Sequence, residues 1–128
     1  MLAIGDAAGL TKPMTGGGIF YSLLSAAFAV ETLVDALGSD DLSASRLSRY
    51  EKRWRQRLMP ELRTGSLVRH LVTNLTDREI NAVLAAVGSE DVQAVIQQTA
   101  KFNWHRSVIL AVLKQPGIKS LLFRSLFN

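Results

Sequence analysis

The apolar positions of this chain change period after its first few residues, and the change marks its organisation. Met1-Leu2-Ala3-Ile4 is a continuous apolar run stopped by Gly5, the pattern of a buried strand end. Residues 5–18 carry Gly9, Pro13 and the triplet Gly16-Gly17-Gly18, which forbid regular structure and permit positive φ. From Ile19 to about Leu37 the spacing predicts a helix, with Ile19, Leu23, Ala26, Ala27, Val30, Leu33, Val34 and Leu37 recurring along it. Phe20, Leu24 and Phe28 make its first half apolar nearly all round, so burial on both sides is expected. Gly38 supplies the stop, and Ser39-Asp40-Asp41-Leu42-Ser43 reads as a linker with helix N-cap residues.

A second helical region is expected over about Ala44 to Leu75. Leu47, Tyr50, Trp54 and Leu58 form one stripe along it, read as packing, and Arg46, Arg49, Arg53 and Arg57 form a parallel basic stripe. Pro60 should break or kink this helix near Met59, because it lacks the amide proton and crowds the preceding turn. Thr76-Asp77-Arg78-Glu79 is a capping box that begins a helix ended by Gly88. Ser89-Glu90-Asp91 caps another, with Val92, Val95 and Ile96 facing inward, and short helices over about 105–114 and 117–127 flank Gln115-Pro116-Gly117. The chain therefore reads as mostly α: a helical, bundle-like C-terminal region after one short strand and a glycine-rich loop. That strand is anomalous, since no second strand signal follows and a lone strand leaves its backbone groups unpaired.

Composition narrows the chemistry. With 128 residues, 48% of them hydrophobic, the chain can bury one core. It has no cysteine, which removes disulfides, thiolate metal sites and cysteine nucleophiles; His70 and His105 stand far apart, so no metal site is expected. No Ser-His-Asp or paired-carboxylate arrangement emerges, so no catalytic residue is assigned. The opening residues lack the basic start of a secretory leader, and the weakly polar run Gly16 to Val30 is about five residues short of a bilayer span. The net charge of +4 is uneven: residues 1–45 carry −4, 46–70 carry +6, 71–100 carry −3 and 101–128 carry +5. The arginine stripe reads first as a solvated face, with contact to anionic lipid head groups as its rival. No nucleic-acid motif accompanies it, and no nucleic-acid partner is expected.

Asp6 follows the apolar run and precedes a loop leading into a helix. A carboxylate there can accept hydroxyl hydrogen bonds of the kind a ribose or ribityl chain offers. Bare amides at Gly16 to Gly18, at the positive end of a helix dipole, would let an anion or flat ring approach. The residues alone leave two readings open, a cofactor loop or a plain connector whose aspartate caps its own turn.

A resemblance adds to this. GDAAGLTKPMTGGGIFYSLLSAAFAVETL resembles the late flavin-binding motif of the geranylgeranyl reductase family of FAD-dependent oxidoreductases, on Gly5, Asp6, Ala7, Ala8, Gly9, Pro13, Thr15, Gly16, Gly18 and Ile19. Many members carry glutamate where this chain has Gly17, and related aromatic-ring hydroxylases fit less well. The resemblance implies that Asp6 binds the ribityl chain of FAD, that the amides of Gly17, Gly18 and Ile19 meet the pyrimidine edge of the isoalloxazine, and that Pro13 lies against the ring. YEKRWRQRL (50–58) and the helical tail also resemble the C-terminal region of the family, more weakly after Leu37. The dinucleotide fingerprint GxGxxG and the family's substrate-binding sheet are missing from the chain.

The expectation is thus a C-terminal fragment. Residues 1–38 would be the last strand, loop and helix of an incomplete FAD-binding α/β domain, and 39–128 a helical region capping the substrate cavity. The full enzyme would reduce isoprenoid double bonds of a lipid substrate. The fragment alone would be inactive and would not retain FAD. Its expected place is cytoplasmic, with peripheral membrane contact through Arg46, Arg49, Arg53 and Arg57. The alternative is a non-catalytic helical interaction module, and in either case a homo-oligomer is expected.

Overall fold

The computed structural model of the chain describes residues 1–120. They comprise a 3-10 turn at Gly5–Ala8 and helices α1 (Ile19–Gly38), α2 (Ala44–Thr73), α3 (Asp77–Val87), α4 (Glu90–Thr99) and α5 (Arg106–Leu113). The chain divides into two compact units, Met1–Arg63 and Thr64–Asn128, with the division falling inside α2. The mostly α expectation is met, whereas the strand is not. Among the described residues there is no strand, only an isolated bridge between Lys101 and Trp104. Ile4 is extended at φ −124° and ψ 145°, but with no neighbour to complete a ladder residues 1–4 stay irregular.

In the first unit, α1 and α2 run antiparallel, as the ion pairs between them require. Arg49 Nη1 lies 3.0 Å from Asp35 Oδ2 and Arg53 Nη1 lies 2.9 Å from Glu31 Oε2. Arg46 Nη2 approaches Asp35 at 3.6 Å and donates to Ser39 Oγ at 2.8 Å. Three members of the arginine stripe are therefore turned to carboxylates of α1. The pairs are about half exposed and each contributes about 0–1 kcal/mol. Burial does more: Leu58 is fully buried, with Trp54 one turn and Tyr50 two turns before it, as the stripe on α2 predicted.

The face that α1 buries is the unexpected one. Tyr21, Ser25, Ala29, Thr32 and Ala36 are buried, while Ile19, Leu23, Val30, Val34 and Leu37 are exposed by 60–81%. The helix hides its small and polar side chains and shows its large aliphatic ones, so burial on both sides is not realised among the described residues. Thr32 is accommodated because its hydroxyl donates to the Phe28 carbonyl at 2.8 Å. By length and composition α1 is also enough to cross a bilayer, because the helix runs on past Val30 to Gly38 and so exceeds the shorter run read from the sequence.

The junctions follow their sequence signals closely. α1 ends at Gly38, the residue read as its stop, and in the linker Asp40 takes φ +49° while the Asp41 amide donates to the Ala36 carbonyl at 2.9 Å. Ser43 caps α2 by accepting from the Arg46 amide. Pro60 does not interrupt α2, which stays helical from Ala44 to Thr73. The missing amide proton removes one hydrogen bond among thirty residues, and the remaining turns carry the helix through.

In the second unit the Thr76 capping box forms in full. The Thr76 amide donates to Glu79 Oε2 at 2.8 Å and the Glu79 amide to Thr76 Oγ1 at 3.4 Å. Gly88 ends α3, Ser89 precedes α4, and Val92 is buried as read from its spacing. Residues 116–120 are helical after the Gln115 break; the rest of the helix expected over 117–127 lies outside the described residues. Val68, Leu71, Val83, Ile96, Val108 and Ile118 are among the aliphatic residues around a cavity of about 240 Å³.

Two measurements check these interactions. Leu58→Ala should lower the unfolding free energy by about 2–5 kcal/mol in urea, the range for a fully buried leucine. Hydrogen bonds from the Thr76 amide and hydroxyl hold the Glu79 carboxyl below its ordinary 4.5. A folded-state value below the unfolded one means that the cap stabilises α3 above about pH 4.5 and loses that contribution as pH falls through the lowered value. Helicity followed by circular dichroism should show this acid-side loss, and Glu79→Gln should remove it.

Candidate functional site

The candidate site is the loop 5–18 with the start of α1, and the sequence dictates its compactness. Gly5 has φ +59°, and a Cβ there would overlap the Ser22 hydroxyl and lie 2.9 Å from Ser22 Cβ. The Gly5 backbone thus rests directly on α1, where its amide donates to the buried Ser25 hydroxyl at 3.1 Å. Ser25 passes its own proton to the Ser22 carbonyl at 2.9 Å. The Tyr50 hydroxyl of α2 donates to the Ala3 carbonyl at 2.6 Å, which fixes the segment before the turn. Burial raises the Tyr50 pKa, with the Ser25 hydroxyl opposing.

That docking places Asp6 above the beginning of α1. Asp6 Oδ1 accepts from the Thr11 hydroxyl at 3.0 Å, and a Cβ on Gly18 would lie 2.5 Å from the same oxygen. Glycine at position 18 leaves the carboxylate in this place, where a Cβ would displace it. Farther along, the loop closes on itself: the Lys12 amide donates to the Gly17 carbonyl at 3.0 Å, and the Gly16 amide to the Lys12 carbonyl at 2.9 Å. Gly16 sits at φ +70° with no atom within 4 Å of where a side chain would begin. Gly18 is the N-cap of α1 and brings no side-chain hydrogen bond to the first turn.

The structure therefore gathers Gly5, Asp6, Gly16, Gly17, Gly18 and Ile19 around one helix start, with Pro13 on the loop between them. Asp6 stands in the 3-10 turn and not at the end of a strand. Ile19 is among the most exposed aliphatic residues of the chain. Three participants were not read from the sequence. Thr11 occupies Asp6, Ser25 anchors Gly5, and Lys12 holds its ammonium 5.4 Å from the Tyr21 ring centre and 6.0 Å from that of Phe20. Burial, with the nearby Glu61 carboxylate adding and Arg57 opposing, pushes Tyr21 up to about 12. Ser25 left one usable signal, a hydroxyl on the face that a helix otherwise gives to small apolar residues.

A cavity of the first unit lies elsewhere. About 490 Å³ opens between residues 1–3 and α2, lined by Leu2, Ala3, Leu47, Tyr50 and Trp54, with Ala8 the sole contribution from the loop. Glu51 and Arg55 on its rim pair with each other at 2.7 Å. No group of three or more His, Asp or Glu that could hold a metal occurs among the described residues.

No family model and no solved structure matches the chain. Curated relatives do. The digeranylgeranylglycerophospholipid reductase 2 of Methanothermobacter thermautotrophicus is 35% identical over 95 residues, covering 74% of this chain and 25% of that protein. The enzyme of the same name from Methanopyrus kandleri is 32% identical over 97 residues, with 76% and 24% covered. Digeranylgeranylglycerophospholipid reductase 1 of Methanococcoides burtonii is 28% identical over 125 residues, with 90% and 31% covered. The chain spans about a quarter of the length of the first two relatives and is similar to their C-terminal part, as the glycine-rich motif had suggested.

Glycine substitutions test the geometry. Gly9 also has positive φ, +70°, but nothing lies within 4 Å of it. Gly9→Ala should therefore cost only the left-handed strain, about 1–2 kcal/mol, while Gly5→Ala adds a collision with Ser22 and should cost more in urea unfolding. Gly18→Ala should displace the Asp6 carboxylate and break its bond to Thr11, visible as a shift of the Thr11 resonances in NMR spectra of an otherwise folded chain.

Proposed function

We propose that this chain, a relative of the geranylgeranyl reductases over their C-terminal part, forms the isoalloxazine and ribityl side of an FAD site in an oxidoreductase that reduces isoprenoid double bonds. The observation that carries the reading is the Asp6 carboxylate held over Gly18 at the start of α1, with a hydroxyl already on Oδ1. Thr11 does there what a ribityl hydroxyl would do, so the acceptor suits a polyol chain. The open backbone at Gly16 and the uncapped first turn of α1 leave room for a flat ring edge. The residues present fit the group.

When bound, reduced flavin supplies a hydride to one carbon of the double bond, while the other carbon takes a proton. The chain's own residues bind and orient. Asp6 would accept from the ribityl hydroxyls, Pro13 would pack against the ring, and the amides of Gly17, Gly18 and Ile19 would face its pyrimidine edge. Negative charge on that edge is favoured by the helix dipole behind those amides. Residues 1–38 are this flavin-side element. The helices that follow cap the substrate cavity, a role supported by the aliphatic cavity in the second unit, whose walls suit a hydrocarbon chain. The chain contains no GxGxxG to hold the adenosine half, so FAD contacts from this chain are partial. Arg46, Arg49 and Arg53, engaged by α1 yet half exposed in two cases, leave guanidinium edges for peripheral contact with a lipid surface.

A chimera tests the reading. Residues 5–38 of this chain, placed over the matching segment of the Methanothermobacter thermautotrophicus reductase, should give a protein that retains flavin absorbance through gel filtration. Asp6→Ala in that chimera should lower FAD affinity by roughly tenfold to a hundredfold, the loss of one or two charge-assisted hydrogen bonds. A chimera that holds flavin equally well without Asp6 would sink the proposal. The isolated 128-residue chain should purify colourless, and a stoichiometric yellow product would refute the claim that it supplies only one side.

A further inference from the structure

One residue of the loop has no task in the flavin reading and yet touches the acid at its centre. The Thr11 hydroxyl donates to Asp6 Oδ1 at 3.0 Å. We infer that Thr11 is a positioning residue, which holds Oδ1 so that the second oxygen, Oδ2, is presented to the hydroxyls of a polyol chain. The inference rests on the flavin reading above and adds to it which oxygen meets the ligand and what keeps it there.

Three observations carry it. The first is that position 11 is itself held. The preceding residue, Leu10, is fully buried, and its amide donates to the Gly5 carbonyl at 3.0 Å. The Gly9 amide donates to the Asp6 carbonyl at 2.9 Å, so the backbone leading to Thr11 is tied to the turn that carries the acid. The second is the space around Oδ1. A Cβ on Gly18 would lie 2.5 Å from Oδ1 and 3.7 Å from Thr11 Oγ1, so this oxygen lies between the Thr11 hydroxyl and the Gly18 backbone. The third is what the other oxygen is left with. Asp6 is exposed, and among the described residues Oδ2 receives no hydrogen bond.

The consequence is physical. The terminal torsion of an aspartate is broad, so an exposed carboxylate turns readily. A donor fixed to one oxygen removes that freedom before a ligand arrives, and less order is lost on binding. Threonine suits this task better than a longer donor, because its branched Cβ restricts χ1 and keeps the hydroxyl in one place.

Titration of the intact 128-residue chain, followed by NMR, tests the inference with two probes, FMN and lumiflavin. Lumiflavin carries a methyl group in place of the ribityl chain. FMN should move the amide resonances of Gly16, Gly17, Gly18 and Ile19. Thr11→Val removes the donor and should weaken FMN binding roughly tenfold, the loss of one hydrogen bond to a charged group, while lumiflavin binding stays unchanged. Thr11→Ser keeps the donor and should bring FMN binding back. In an Asp6→Ala background Thr11→Val should cost nothing further, because Thr11 acts through the acid. Equal FMN binding by the unaltered chain and Thr11→Val overturns the inference. So does tighter binding by Thr11→Val, which would make Thr11 a competitor of the polyol for Oδ1. So does a parallel loss of lumiflavin, the mark of a collapsed loop, or a Thr11→Val cost that persists without Asp6. Each of these leaves the flavin reading standing, since FMN still moves residues 16–19 of the unaltered chain. FMN that moves none of those amides removes that reading and this inference with it.

Discussion

The first unit depends on how closely the Gly5 backbone approaches α1. No side chain fits between them, and the Ser25 hydroxyl, buried in the middle of the helix, receives the Gly5 amide. A hydroxyl on a buried helical face is ordinarily a cost, but here it satisfies an amide that would otherwise be buried without a partner. Everything at the candidate site follows. The turn after Gly5 brings Asp6 back over the helix start, and a Cβ on Gly18 would push the Asp6 carboxylate from its place. The glycines of this loop therefore answer to two demands. Gly5 and Gly18 are there for proximity, and Gly9 and Gly16 for backbone angle.

What the sequence made legible was whatever a local signal decides. The Trp54 stripe, the Thr76 capping box and the Gly88 stop each rest on a few neighbouring residues, and each is found where read. What it hid was whatever a partner decides. The Met1 to Ile4 run has strand composition, but a strand exists only with a neighbour to bond, and the described residues offer none. The outer face of α1 was read as core because it is aliphatic, yet the buried face is the opposite one, with Ser25, Ala29, Thr32 and Ala36. Hydrophobic spacing reports that a face must be covered and does not report by what. Pro60 shows the converse, a local signal that does not end α2. At the candidate site the motif was legible down to single residues, while Thr11, Lys12 and Ser25 were not, because their roles arise from loop closure.

The kinship with archaeal digeranylgeranylglycerophospholipid reductases and the geometry of the loop support one another without being the same argument. Kinship concerns the sequence over a quarter of those proteins. Geometry concerns one carboxylate, one hydroxyl and one bare helix start.

The arginine ladder has an ambiguity built into it. Its members recur once per turn at 46, 49, 53 and 57, and the acids they meet are also one turn apart, at 31 and 35. Sliding α2 by a single turn would set Arg53 opposite Asp35 and Arg57 opposite Glu31, so Coulombic attraction alone scores both alignments nearly alike. The vernier has to be read by something aperiodic. Tyr50 reaching one particular carbonyl, at Ala3, and Leu58 filling one particular gap are the marks that tell the correct setting from its neighbour.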